Sequence, residues 1–93
     1  MLTIENSRKQ IDKIDNKLID LLNSRFEISV QIGQLKQKDG KNVFDKSREQ
    51  AIYDKINNTE AKYKKEIINV YTEIMKNSKE LQKNIKANNG QVD

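Results

Sequence analysis

The sequence has no cysteine, no proline and no histidine, and only three glycines among its 93 residues. Without cysteine there is no disulfide framework to hold a small core together. Without histidine, a zinc or haem site would need unusual ligands, and a Ser/His or Cys/His nucleophile is excluded. No apolar run is long enough to cross a membrane, and the opening MLTIENSRKQ lacks the apolar centre of a secretory signal. The expected setting is the cytoplasm. Hydrophobic and charged residues each make up 34% of the chain. With so few helix breakers, this composition predicts one mostly helical domain over residues 1–93 with a thin core.

The net charge of +4 raises nucleic acid or an acidic membrane surface as partners. The fourteen acids, however, are interspersed with the bases in every segment, which describes a solvated mixed surface rather than a phosphate-tracking stripe. Neither nucleic acid nor membrane is therefore expected as a partner. Only three of the eighteen basic residues are arginine: Arg8, Arg25 and Arg48. A chain that uses lysine for generic charge keeps arginine where a planar, bidentate donor matters.

From about Glu5 to Lys38 the sequence reads as one long helix. Ile11, Ile14, Leu18, Leu21, Ile28, Ile32 and Leu35 recur at steps of three and four, the spacing of a single face. Arg25 falls in phase with them, and Lys36 returns to nearly the same face about three turns later. A guanidinium on a core stripe needs an anion opposite it, because it cannot lose its proton. Residues 1 to 5 are expected to be a loose lead-in, and Asp39-Gly40 a stop. Such a helix is roughly 50 Å long, beyond the diameter of a compact domain of this size. It cannot bury its whole seam within one chain, so a symmetric dimer in which two long helices cover each other is expected.

Asp45 is a good N-cap for a second helix over about 45–57, with Asp45, Arg48 and Glu49 on one side of its first turn. Asn57-Asn58-Thr59 reads as a connection, followed by a third helix over about 60–87. Its stripe is Tyr63, Ile67, Val70 or Tyr71, Ile74, Leu81 and Ile85, with Ser78 at the missing step and Gln82 one turn on. Residues 88–93 are polar and expected to fray.

Each helix thus interrupts its apolar face with polar side chains: Arg25 and Lys36, then Arg48 and Glu49, then Ser78 and Gln82. Burying such groups alone costs several kcal/mol, so they meet each other or a ligand. An internal salt-bridge network and a ligand site are both open at this level. The set is poor in acid-base reagents and rich in hydrogen-bond donors. That suits a small polyanion, with Glu49 free to accept from a hydroxyl, and a reaction that shifts charge without moving protons.

Arg8, Asp15, Leu18, Leu21, Leu22, Arg25, Gly33, Lys36, the run Asp45-Lys46-Ser47-Arg48-Glu49, and Ser78 with Gln82 resemble the all-helical chorismate mutases in order and spacing over about residues 5–85. The resemblance implies an all-α, three-helix chain forming an intertwined homodimer. It also implies conversion of chorismate to prephenate by a [3,3] Claisen rearrangement, in phenylalanine and tyrosine biosynthesis, with no cofactor and no metal. By position, Arg25 and Arg8 of the partner subunit would hold the two substrate carboxylates, and Lys36 and Gln82 would donate to the ether oxygen. Glu49 would bind the ring hydroxyl with help from the Asp45 region, while Arg48 and Ser78 would complete the lining.

Two departures stand out: no proline near the Asp45–Glu49 segment, and Phe26 where some relatives carry a second arginine. The chain has no room for the dehydratase, dehydrogenase or aldol-synthase domains fused to some relatives, so a monofunctional enzyme is expected, one that could associate with another shikimate-pathway enzyme. Two rival readings are a non-catalytic helical dimerisation or regulatory module, in which the charges set register, and a basic coiled coil that binds nucleic acid.

Overall fold

The computed structural model of the chain describes residues 2–89 as three helices, α1 (Ile4–Lys38), α2 (Lys46–Asn57) and α3 (Lys64–Asn89). Among the described residues there is no strand. Of the tail expected to fray over residues 88–93, residues 88 and 89 belong to α3 and the rest lies outside the described residues.

α1 begins within the expected lead-in because Thr3 caps it. The Thr3 side chain accepts a bond from the Asn6 N–H at 3.0 Å, and Glu5 places a negative charge in the first turn. At the other end, the Gly40 N–H donates to the Gln37 carbonyl at 3.2 Å and the Lys41 N–H to the Lys36 carbonyl at 2.7 Å. This Schellman closure needs a left-handed residue, and Gly40 supplies it with φ 69°. One of the two carbonyls it satisfies belongs to Lys36, so the stop also fixes the backbone of a candidate site residue.

α2 starts at its cap: the Asp45 carboxylate accepts from the Arg48 N–H at 3.0 Å. α3 starts at Lys64, four residues later than expected. The Thr59 hydroxyl donates to the Ile56 carbonyl at 2.7 Å and accepts from the Ala61 N–H at 3.3 Å, and Lys64 Nζ reaches back to the Asn57 carbonyl at 3.0 Å. The chain therefore spends residues 58–63 turning. Tyr63, assigned to the α3 stripe from its spacing, lies before the helix and is exposed.

α3 is the central element, packed against α1 on one side and α2 on the other. Tyr53 and Thr72 join α2 to α3 through their hydroxyls at 2.8 Å. The buried residues at the junction are Ile56, Ile74 and Met75, together with Ser29, Gly33, Ser78 and Gln82. On α1 the stripe that meets α3 is Leu22, Phe26, Ser29 and Gly33. That stripe is about a quarter turn around the helix from the Ile14–Leu18–Leu21–Ile28–Ile32 seam, at ~100° per residue. The seam itself is exposed along its length, Ile14 at 62% and Leu21 at 67%.

The chain is a single flat layer, 60 × 30 × 14 Å, with a radius of gyration of 17.0 Å. A compact domain of this length has about 12 Å. Its accessible surface is 8000 Å², where a folded monomer of 10.9 kDa exposes about 5,600 Å². The uncovered apolar seam is part of that surplus.

Candidate active site

Arg25 and Lys36 stand on α1 at the border between the stripe that α3 covers and the exposed seam. They are half-buried and directed across a cleft walled by α2 and α3. The cleft has a volume of about 210 Å³ and gathers Arg25, Lys36, Asp45, Arg48, Glu49, Ser78 and Gln82 from all three helices. Arg8 is not among them. It is exposed on the far half of α1, seventeen residues from Arg25 and so roughly 25 Å along the helix.

At the floor, the Gln82 amide is held by three contacts. Nε2 donates to the carbonyl and to the hydroxyl of Ser29, both at 3.1 Å, and Oε1 faces Lys36 Nζ at 3.5 Å. Reversing the amide would set two acceptors together at Ser29 and two donors together at Lys36, so the network fixes its orientation. Gly33 makes this approach possible: a Cβ there would lie 2.8 Å from Gln82 Cγ and 3.2 Å from its Cα. Lys36 Nζ donates most strongly to the Val43 carbonyl, at 2.7 Å. An ammonium has three donors, which leaves one for the cleft.

Arg25 donates from Nη1 to Ser78 Oγ at 3.3 Å, and its guanidinium lies 5.7 Å from the Tyr71 ring centre. Neither Arg25, Lys36 nor Arg48 has a carboxylate partner among the described residues. Glu49 does, and it is one that the sequence reading missed: Lys79 Nζ sits 3.0 Å from Glu49 Oε2. The cleft's four cations, Arg25, Lys36, Arg48 and Lys79, against Asp45 and Glu49 leave two net positive charges.

Ser29 also escaped notice. The signal was there for both: Ser29 and Gly33 are small residues four apart on α1, Ser29 one turn after Arg25, and Lys79 lies three before Gln82 on α3. Asp45 lines the cleft, but its carboxylate is also the α2 cap. Among the described residues no group of three or more His, Cys, Asp or Glu is placed to hold a metal, and no helix is long and apolar enough to cross a membrane.

A donor-rich cleft of this kind between three helices has counterparts. Residues 7–83 match the family described as chorismate mutase type II, and the chain belongs to that family. It is 35% identical to a chorismate mutase from Helicobacter pylori solved in complex with prephenate, with a TM-score of 0.79 over 87% of this chain and 90% of that one. A conserved hypothetical protein from Pyrococcus furiosus superposes with a TM-score of 0.74 at 32% identity, over 88% of this chain and 97% of its own. Among curated proteins, a bifunctional chorismate mutase/prephenate dehydratase from Aquifex aeolicus is 29% identical over 94% of this chain, which spans 26% of that protein. A chorismate mutase from Methanocaldococcus jannaschii is 39% identical over 53% of this chain and 50% of its own length. The chain thus spans about a quarter and about half of these two curated relatives.

Proposed function

We propose that this chain converts chorismate to prephenate by a [3,3] rearrangement, in cytoplasmic phenylalanine and tyrosine biosynthesis, and works as a homodimer. The observation that carries the reading is the cleft's uncompensated charge: Arg25, Lys36 and Arg48 converge with no carboxylate among the described residues to pair them. A salt-bridge network internal to the chain would have paired them. Arg25 binds one substrate carboxylate, Arg48 and Ser78 complete the lining, and Glu49 accepts from the ring hydroxyl.

The ether oxygen gains negative charge as its C–O bond breaks, and donors already in place stabilise that charge without a proton moving. Lys36 supplies the free donor of its ammonium. Gln82 supplies an N–H by exchanging the Ser29 hydroxyl for the substrate, while its bond to the Ser29 carbonyl keeps the amide in register. No cofactor takes part in this scheme.

The second carboxylate falls to Arg8 of the partner subunit. The uncovered seam and roughly 2,400 Å² of surplus surface support a second copy that lays its own α1 along this one. The test is an assay of the purified protein for loss of chorismate, with prephenate identified as product. Turnover is expected with no added metal or cofactor and in the presence of a chelator. Absence of turnover, or activity lost to the chelator and regained with metal, overturns the proposal.

A further inference from the structure

The mechanism above gives Lys79, a charged side chain of the cleft, no role. Lys79 extends from α3, one residue after Ser78 and three before Gln82, and is half-buried, its side chain 30% exposed. Its ammonium lies 3.0 Å from Glu49 Oε2 on α2 and 5.1 Å from the centre of the Phe44 ring, in the connection between α1 and α2. Phe44 in this way limits where the ammonium can go, and the ammonium limits where the carboxylate can go. No other side chain among the described residues engages Glu49.

A glutamate reaching into a cleft from the first turn of a short helix has three rotatable bonds, and holding it in one rotamer costs entropy that a weak hydroxyl contact would otherwise have to meet. We propose that Lys79 is a positioning residue: it clamps one oxygen of Glu49 so that the carboxylate presents its remaining acceptor capacity to the hydroxyl of the bound substrate. A carboxylate has about four lone-pair sites, so one ammonium leaves room for the hydroxyl. Because the pair is close and of opposite sign, Lys79 adds little field of its own for a dianion in the cleft.

The inference rests on the proposed reaction and deepens it, and it separates two kinds of residue. Lys36 and Gln82 face an atom whose charge changes in the transition state, so their loss lowers kcat. The ring hydroxyl is not part of the bonds being made and broken. Interactions with it are equally strong in ground and transition states, and their loss raises KM.

The experiment is steady-state turnover of chorismate, and of an analogue in which the ring hydroxyl is replaced by hydrogen, by the wild type, Lys79→Met and Lys79→Arg, each checked for helicity and oligomeric state. Lys79→Gln stands in should Lys79→Met fail to fold. With chorismate, Lys79→Met is expected to raise KM about tenfold with kcat within about twofold, as for a lost charge-assisted bond, and Lys79→Arg to restore most of the loss. With the hydroxyl-free analogue, wild type and Lys79→Met are expected to have the same kcat/KM. An equal loss with both substrates assigns Lys79 to general charge or to packing, and no loss with chorismate leaves it without a role; either result overturns the inference. A wild type that does not consume chorismate overturns the proposed reaction itself, and the inference with it.

Discussion

Gln82 shows how much can depend on one amide. Its neighbours are a carbonyl, a hydroxyl and an ammonium, and only a neutral group with both donor and acceptor atoms satisfies all three. Gln82→Glu puts a carboxylate against the Ser29 carbonyl and, in the proposed reaction, against the developing charge on the ether oxygen. That carboxylate can donate only when protonated, near the reference range of about 4.3. At neutral pH turnover is expected to fall by about 10²–10³, the usual cost of one preorganised donor, and to recover toward acid. Rates measured from about pH 4 to pH 8 check this; an unchanged profile with full activity removes Gln82 from the ether-oxygen role. Ser29, which holds this amide, and Lys79, which holds Glu49, were the harder residues to read. Ser29 and Lys79 lie beside the expected site residues in sequence, but nothing in a serine or a lysine on a helix says which way the neighbouring helix will approach.

At the scale of the helices, the decisive feature is the crossing of α1 and α3 at Gly33. A glycine inside a helix costs about 1 kcal/mol relative to alanine, so propensity alone favours Gly33→Ala. The contact opposes it, since the new methyl would meet Gln82 Cγ at 2.8 Å, Cβ at 3.0 Å and Cα at 3.2 Å. A side chain can swing away, whereas a backbone atom in a helix moves only with the helix. Overpacking of this kind costs about 1–3 kcal/mol, so a net loss of about 1 kcal/mol is expected, with a larger fall in kcat because Gln82 and Lys36 part company. Urea unfolding together with turnover measures both; a variant more stable than wild type and fully active would show that the two helices separate without cost. The caps, by contrast, were legible: Asp45 and Asp39-Gly40 act locally, through bonds that span three to five residues. The start of α3 was not, because Thr59 and Lys64 bond backward across the turn and hold residues 60–63 out of the helix.

For the whole molecule, the question is what covers α1. One small dianion cannot reach both Arg8 and Arg25 of the same chain, since about 25 Å of helix separates them. In the proposed twofold dimer, with the α1 helices paired, each cleft would take Arg25 from one chain and Arg8 from the other. Arg8→Ala and Arg25→Ala are each expected to be folded, dimeric and nearly inactive. Unfolded and refolded together, they place both substitutions in one site of each heterodimer and neither in the other. About a quarter of wild-type activity is therefore expected to return, half of the dimers being mixed with one intact site each. If mixing restores nothing, Arg8 does not act across subunits.

The sequence by itself determined three helices, the caps at Asp45 and Asp39-Gly40, and the interruption of each apolar face by polar residues, because helical periodicity and capping are read over a few residues. It also marked Arg25, Lys36, Glu49, Ser78 and Gln82, since a charged or polar group on an apolar stripe stands out in one dimension. Only the tertiary structure decided which stripe of α1 faces α3. The Ile14–Ile32 seam is the more apolar, yet α3 takes the stripe with Ser29 and Gly33, where small side chains let two backbones approach. That choice leaves the seam outside and Arg25 and Lys36 at its edge. It is a matter of complementary shape between surfaces distant in sequence, which hydrophobicity does not encode.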